Sequence, residues 1–257
     1  MDSALAKQRA KQLLRRTVGE PYVGKRLKQR AIGRELSRLR LDPEVVVDAG
    51  CEDATFVYWL ADRFPRARVV AVDIDAGAVA RCAAARPSGY ARQVDFRVAS
   101  FAELASNSAD VIAALDVLEH IDDDVAALAD LFRALRPGGH LLIHVPRNPW
   151  THADGRVEFV PDEDAWRINP GHVRHGYDPL RLTSLVANAG FEVIDRQLWL
   201  RRRSVQAFNF YQRVEHPAPL RLLAVPVTDV LGLLDRRRPE AEGNAIWVVA
   251  RKPVPSP

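Results

Sequence analysis

The chain has 257 residues, 47% hydrophobic and 27% charged, with a formal net charge of +4. That length can bury a substantial core without staples and fits one domain with appendages. Its two cysteines, Cys51 and Cys82, are too few for a disulfide framework, and no apolar run approaches the roughly 20 residues needed to span a bilayer.

Residues 1–40 hold twelve Lys or Arg against three acids, a local excess hidden by the small net charge. Apolar residues recur at helical spacing in Leu13, Leu14 and Val18, and again in Leu27, Ile32, Leu36 and Leu39. Tyr22 to Leu27 interrupts the two halves. The segment is predicted as a basic helical cap. A solvated helical face and contact with a membrane surface are two readings of it. It lacks interleaved aromatics and no RNA-binding module follows, so nucleic acid is not expected as a partner. The amino end has no signal-peptide apolar core, which points to the cytoplasm.

From residue 45 the pattern changes. Val45-Val46-Val47-Asp48-Ala49-Gly50 is a short apolar run ending in an acid and a glycine, and Val69-Val70-Ala71-Val72-Asp73 repeats it. Val94 to Val98 is a third strand. Asp110 to Asp116 leads into Val117-Leu118-Glu119-His120-Ile121, and His140 to Pro146 follows Arg136-Pro137-Gly138-Gly139. Apolar runs with polar groups only at their carboxyl ends are the signature of buried parallel strands. Ligands of open α/β sheets bind at those ends. The turn after Asp48 exposes backbone N–H groups, and Asp73 is placed to accept hydrogen bonds from a ribose diol.

A dinucleotide site requires G-x-G-x-x-G after the strand, which Asp48-Ala49-Gly50-Cys51-Glu52-Asp53-Ala54 does not provide. The run instead resembles the first motif of class I S-adenosylmethionine-dependent methyltransferases, commonly D-x-G-C-G-x-G. Val72-Asp73-Ile74-Asp75 resembles their ribose motif. Asp116 to Ile121 and Leu135 to Ile143 continue the resemblance in order. It implies a Rossmann-like, doubly wound seven-stranded sheet with an N-terminal helical cap, and S-adenosylmethionine as cofactor. Asp48, Gly50, Cys51, Asp73, Ile74, Ser100, Phe101, Asp116 and Val117 are expected to line the cofactor site. Residues 1–40 gain a third reading, a lid bringing Tyr22 and basic residues to an acceptor.

Two departures stand out. Glu52 and Ala54 occupy positions where the family usually has glycines, which permit unusual backbone angles and close approach. Glu52 either points to solvent or pairs with the cofactor's ammonium. After the third strand the family often has an acid for the adenine amine. Here Ser100 can hydrogen-bond and Phe101 can pack on the purine. Cys51 is read as a packing residue.

The remaining elements follow coarsely. Helices are predicted over Ala54–Phe64, Ala76–Ala85, Asp122–Leu135 and Pro179–Ala189, the third capped within Asp122-Asp123-Asp124. Gly190 ends the fourth helix. Phe191 to Ile194 and Ala245 to Ala250 are strands, expected by resemblance to form an antiparallel hairpin at the sheet edge. The chain then divides into a cap at 1–40 and a core at 41–203 containing an acceptor loop at 147–178. An insertion at 204–243 is a cap or a homodimer face. A final edge strand and loose tail occupy 244–257.

Methyl transfer from a sulfonium asks the protein mainly for proximity and alignment. A hydroxyl or acidic carbon also has to lose a proton, and His is the usual base near neutral pH. His120, after the fourth strand, is the first candidate. His175, His172 and His152 follow, with Tyr177 as an orienting hydroxyl. Glu119 is read as a supporting or cofactor-amine contact, and His144 as a hydrogen-bonded core residue. No Cys/His cluster has metal-ligand spacing, so no metal is expected. The resemblance implies a methyltransferase for a small molecule. The Ala/Arg-rich composition and single Met look like a high-GC bacterial gene, which suggests a specialised metabolite as acceptor. Two rivals remain: a non-methylating enzyme on this fold, performing cyclisation or elimination, and a catalytically dead scaffold or binding protein.

Overall fold

The computed structural model describes residues 22–86, 88–213 and 243–255, with the single positions 6, 9, 10, 12, 20, 226 and 230. Most of the first half of the basic segment, and most of the 204–243 insertion, therefore lie outside the described residues.

Helix α1 spans Val23–Leu39. The sequence reading placed an interruption at residues 22–27, but the helix begins there. Tyr22 is its extended N-cap residue, and Gly24 falls in the first turn. The sheet and its helices then alternate: β1 Val45–Ala49, α2 Thr55–Arg63, β2 Arg68–Asp73, α3 Ala76–Ala84, β3 Val94–Val98, β4 Ala109–Leu115, α4 Asp124–Ala134 and β5 Leu135–Pro146. All four predicted core helices form, with ends shifted by no more than two residues. Short polar side chains set their starts. Asp75 accepts from the N–H of Gly77 and Ala78, and Asp123 accepts from Ala126.

The seven strands lie in the order β3-β2-β1-β4-β5-β9-β8, where β8 is Glu192–Trp199 and β9 is Ala245–Arg251. The strands β1 to β5 are parallel, and β9 runs antiparallel to both β5 and β8. The predicted hairpin partners do pair, but the final strand is not at the edge. It inserts between β5 and β8, and β8 is the edge. The reason is apolarity: six of the seven β9 residues are buried, whereas β8 alternates exposed and half-buried positions.

Period-two alternation divides the core into two layers. Val46, Val69, Val111 and Trp247 face α1, α2 and α3, while Val47, Val70, Ile112 and Val248 face α4 and the helix α6 at Pro179–Asn188. Helices thus cover both faces, as a doubly wound sheet demands.

The 147–178 segment is more structured than the predicted loop. It forms a small hairpin, β6 Trp150–Thr151 with β7 Val157–Glu158, and a helix α5 at Asp162–Ile168. Its end is tied down by Tyr177, which is fully buried. The Tyr177 hydroxyl lies 3.0 Å from Asp124 Oδ2 and 3.1 Å from the Leu118 carbonyl, and accepts from Arg174. Beyond β8, α7 (Arg202–Arg213) meets α1, with Tyr211 packed edge-on to Tyr22 at 6.2 Å and clustered with Val23.

Two substitutions test this core. Trp247 is fully buried and stacks on Trp199 at 5.3 Å. Trp247→Ala is expected to cost about 3–5 kcal/mol of unfolding free energy in a urea titration. Tyr177→Phe removes only the hydroxyl, leaves buried partners unsatisfied, and is expected to cost about 1–3 kcal/mol by the same measurement.

Candidate active site

A cleft of about 820 Å3 opens over the carboxyl ends of β1, β2 and β4. This is where strand order reverses, because β1 sends the chain to β2 on one side and pairs with β4 on the other. The volume falls within the range of small-molecule sites.

The first turn keeps left-handed backbone at three positions with only one of them a glycine. Gly50, Glu52 and Ala54 have φ of +88°, +42° and +59°. At Gly50 a Cβ would stand 2.6 Å from Val117 Cγ2, so a side chain there would force Val117 to shift as well as straining the backbone. At 52 and 54 the left-handed region is held by neighbours, at a cost of about 1–2 kcal/mol per non-glycine residue. The Glu52 N–H donates to Asp73 Oδ2 at 2.9 Å, and the Glu52 side chain, largely exposed, pairs with Lys25 at 3.1 Å. Glu52 therefore leans toward α1 and does not fill the turn.

Asp73 ends β2 with both carboxylate oxygens holding backbone, Oδ2 the Glu52 N–H and Oδ1 the Asp75 N–H. Each oxygen keeps a lone pair for a diol. Beside it Ile74 is 79% exposed, an apolar face suited to a purine. Asp48 is buried beneath the turn. Burial, then the charges of Asp53 and Asp73, raises its carboxyl well above the usual carboxylate range. Burial, then Asp48, also raises the Cys51 thiol. That disfavours a thiolate and supports packing.

Asp116 follows β4 with φ +56°. Its Oδ1 meets His144 Nδ1 at 2.7 Å and its Oδ2 meets Lys28 Nζ at 2.5 Å. Burial opposes ionisation, but the Lys28 charge and the His144 ring outweigh it and hold the carboxyl well below its ordinary range. His144 is thus the bonded core residue that the sequence implied.

The turn Leu118–His120 comes next. Glu119 is 1% exposed, and burial followed by the Asp116 charge pushes it up to about 8. His120 is exposed into the cleft, with Nδ1 2.8 Å from the Gly171 carbonyl. A carbonyl only accepts, so Nδ1 carries a proton, and in the neutral ring Nε2 is the nitrogen with the lone pair. The ring of His172 meets that of His120 edge-on at 4.5 Å. Arg174 fastens this turn from below, donating to the carbonyls of Leu118, Ile121 and Asp122.

All nine residues predicted for the cofactor line this cleft, together with His120. Ser100 does so with its proton committed, since its hydroxyl and its N–H both donate to Glu103 Oε2. Tyr177 and His175 do not line it. Tyr177 is sealed in the core by the bonds described above. His175 is buried toward Glu158 and Asp162, and burial lowers its pKa. Three contributors went unpredicted: Lys25, Lys28 and Arg174. The lysines stand one turn apart in a helix with many basic residues, and only their i, i+3 spacing marked a common face. Tyr22 is absent from the lining, so α1 reaches the site through its lysines.

A family model described as "Methyltransferase domain" matches residues 24–196. A probable S-adenosylmethionine-dependent methyltransferase of Mycolicibacterium smegmatis is 34% identical over 175 residues, covering 67% of this chain and 58% of that protein. A trans-aconitate 2-methyltransferase of an Azoarcus species is 38% identical over 114 residues, 44% of each chain. The chain thus spans about half the length of these relatives. The crystal structure of an S-adenosylmethionine-dependent methyltransferase from Mesorhizobium loti superposes with a TM-score of 0.57 at 19% identity, covering 85% of this chain and 96% of that one. The match over 24–196 takes in α1 and every strand end that builds the cleft, and the chain belongs to the class I S-adenosylmethionine-dependent methyltransferase family.

Proposed function

We propose that this protein methylates a small organic acceptor, with His120 facing the acceptor and receiving its proton. The observation that carries this reading is the His120 tautomer: Nδ1 is engaged by the Gly171 carbonyl, and the ring lines the same cleft as Asp73.

The residues present fit the cofactor. Asp73 offers lone pairs to a ribose diol, and Ile74 and Phe101 offer apolar faces beside it. Apart from Asp48 and Glu119, whose burial favours the neutral form, the described lining holds six carboxylates (Glu52, Asp53, Asp73, Asp116, Asp123 and Asp130) against the lysines Lys25 and Lys28. Such a site favours a cationic ligand. When bound, S-adenosylmethionine supplies an electrophilic methyl on a good leaving group. The protein then has to align the acceptor, exclude water and take up a proton. Alignment is the larger contribution, about 7–11 kcal/mol in favourable cases. A positioned base adds about 100- to 10,000-fold.

A small acceptor is supported by the cleft volume and by the similar protein named for trans-aconitate. A specialised metabolite is one such acceptor. The altered first turn gives no reason to prefer a non-methylating activity, because its backbone retains the left-handed conformation of a glycine-rich loop.

Calorimetric titration with S-adenosylmethionine and S-adenosylhomocysteine is the first test, and micromolar binding of both is expected. Asp73→Ala is expected to weaken both by at least about tenfold, the scale of losing a charge-assisted bond. Unchanged affinity would disprove the ribose site. Once an acceptor is found by mass gain of one methyl, His120→Gln should lower kcat by about 100-fold or more and leave S-adenosylhomocysteine affinity within about twofold. Equal loss of both would make His120 a cofactor support instead.

A further inference from the structure

Glu119, His120 and His172 converge from two segments more than fifty residues apart. One ligand atom from each lies within 4.8 Å of the others. Two independent features show that this is more than crowding. Glu119 Oε2 and His172 Nδ1 are both buried, and neither has a hydrogen-bond partner among the described residues. Burying such groups unpaired costs on the order of 1–3 kcal/mol each, so a native site normally satisfies them. The second feature is orientation. His120 Nδ1 is fixed by the Gly171 carbonyl, which directs Nε2 away from that bond. Metal-binding imidazoles are commonly held this way, one nitrogen on a backbone carbonyl and the other on the ion.

We propose that Glu119, His120 and His172 bind a divalent first-row transition cation in the cleft, leaving coordination positions open to an oxygen of the acceptor. Two imidazoles and one carboxylate suit zinc, iron(II), cobalt(II) or manganese(II) and are a poor set for magnesium or calcium. Ligand bonds of about 2.0–2.2 Å place such atoms roughly 3–3.6 Å apart, so the trio would close by at most about 2 Å on loading. His120 is exposed and His172 is half-buried, and the closure has to keep the His120 Nδ1 bond to the Gly171 carbonyl.

The cation's role rests on the methyltransferase reading, whereas its binding does not. With the cation bound, His120 would serve as a ligand, and an acceptor oxygen polarised by the ion would release its proton to solvent water; the base role of His120 belongs to the metal-free protein. Sequence spacing concealed the site, since only Glu119 and His120 are neighbours in the chain.

The test uses the whole protein, stripped with chelator and titrated with cobalt(II) by calorimetry and visible absorption. One equivalent is expected to bind with a ligand-field spectrum. His172→Gln and Glu119→Gln are each expected to weaken binding by at least tenfold. His152→Gln, at a surface His–Glu pair with His152 Nε2 2.6 Å from Glu158 Oε2, should match the wild type. No saturable binding, or binding unchanged in both His172→Gln and Glu119→Gln, overturns the proposal. Thermal melting confirms that each variant is folded. Titration of the same samples with S-adenosylhomocysteine reads the cofactor site separately, so failure of either reading is seen without the other.

Discussion

Asp116 is where three parts of the molecule meet, and the site depends on it. One oxygen anchors to His144 near the carboxyl end of β5, and the other to Lys28 on α1. Its positive φ swings the chain off β4 into the turn that presents Glu119 and His120. A carboxylate there would be costly to bury alone. Two cationic or polar partners make it tolerable, and its depressed pKa records how strongly they favour the charged form. The sheet core, the helical cap and the cleft-lining His120 are therefore coupled through one side chain.

The segment after β5 completes that arrangement. Gly171 supplies the carbonyl that orients His120, and the Val173 N–H donates to the Glu119 carbonyl at 3.0 Å. Arg174 satisfies three further carbonyls in and just after the turn, those of Leu118, Ile121 and Asp122. A three-residue turn has few internal bonds, and its free carbonyls need partners when buried. The long connection between β5 and α6 supplies them. Its hairpin is in turn locked to the sheet by Asn244, whose side chain both accepts from and donates to the Thr151 backbone. The Gly171 φ of +92° explains why glycine is required where the carbonyl turns toward His120.

Much of this was legible in the sequence. Parallel strands announce themselves as apolar runs with an acid at or near the carboxyl end: Asp73 and Asp116 reach the cleft rim, and Asp48 is buried beneath the first turn. The helix starts were legible for the same local reason, through Asp75, Asp123 and Asp178. What failed were inferences about who faces whom. Tyr177 and His175 sit in a segment rich in polar aromatics, and composition cannot say which of them turns inward. Lys28 looks like any solvated lysine until the fold brings it 88 positions along the chain to Asp116. The order of β8 and β9 also depended on non-local pairing, and burial decided it in favour of the more apolar strand.

The first turn shows how a motif can change letters and keep its physics. Glycine is favoured at left-handed positions because a Cβ costs about 1–2 kcal/mol there. At Gly50 the exclusion is steric as well, since a Cβ would displace the Val117 side chain. At Glu52 the cost is offset by structure gathered around it: the N–H on Asp73, the carbonyl accepting from Cys82 Sγ, and the side chain reaching Lys25. Ala54 is fully buried and contributes its methyl to the core against which α2 starts. The conformation is therefore enforced by tertiary contacts where the family pattern leaves it to glycine. A turn fixed by its neighbours is also a turn whose backbone N–H groups and Asp73 are held in place before any ligand arrives, which is the preorganisation a binding site needs.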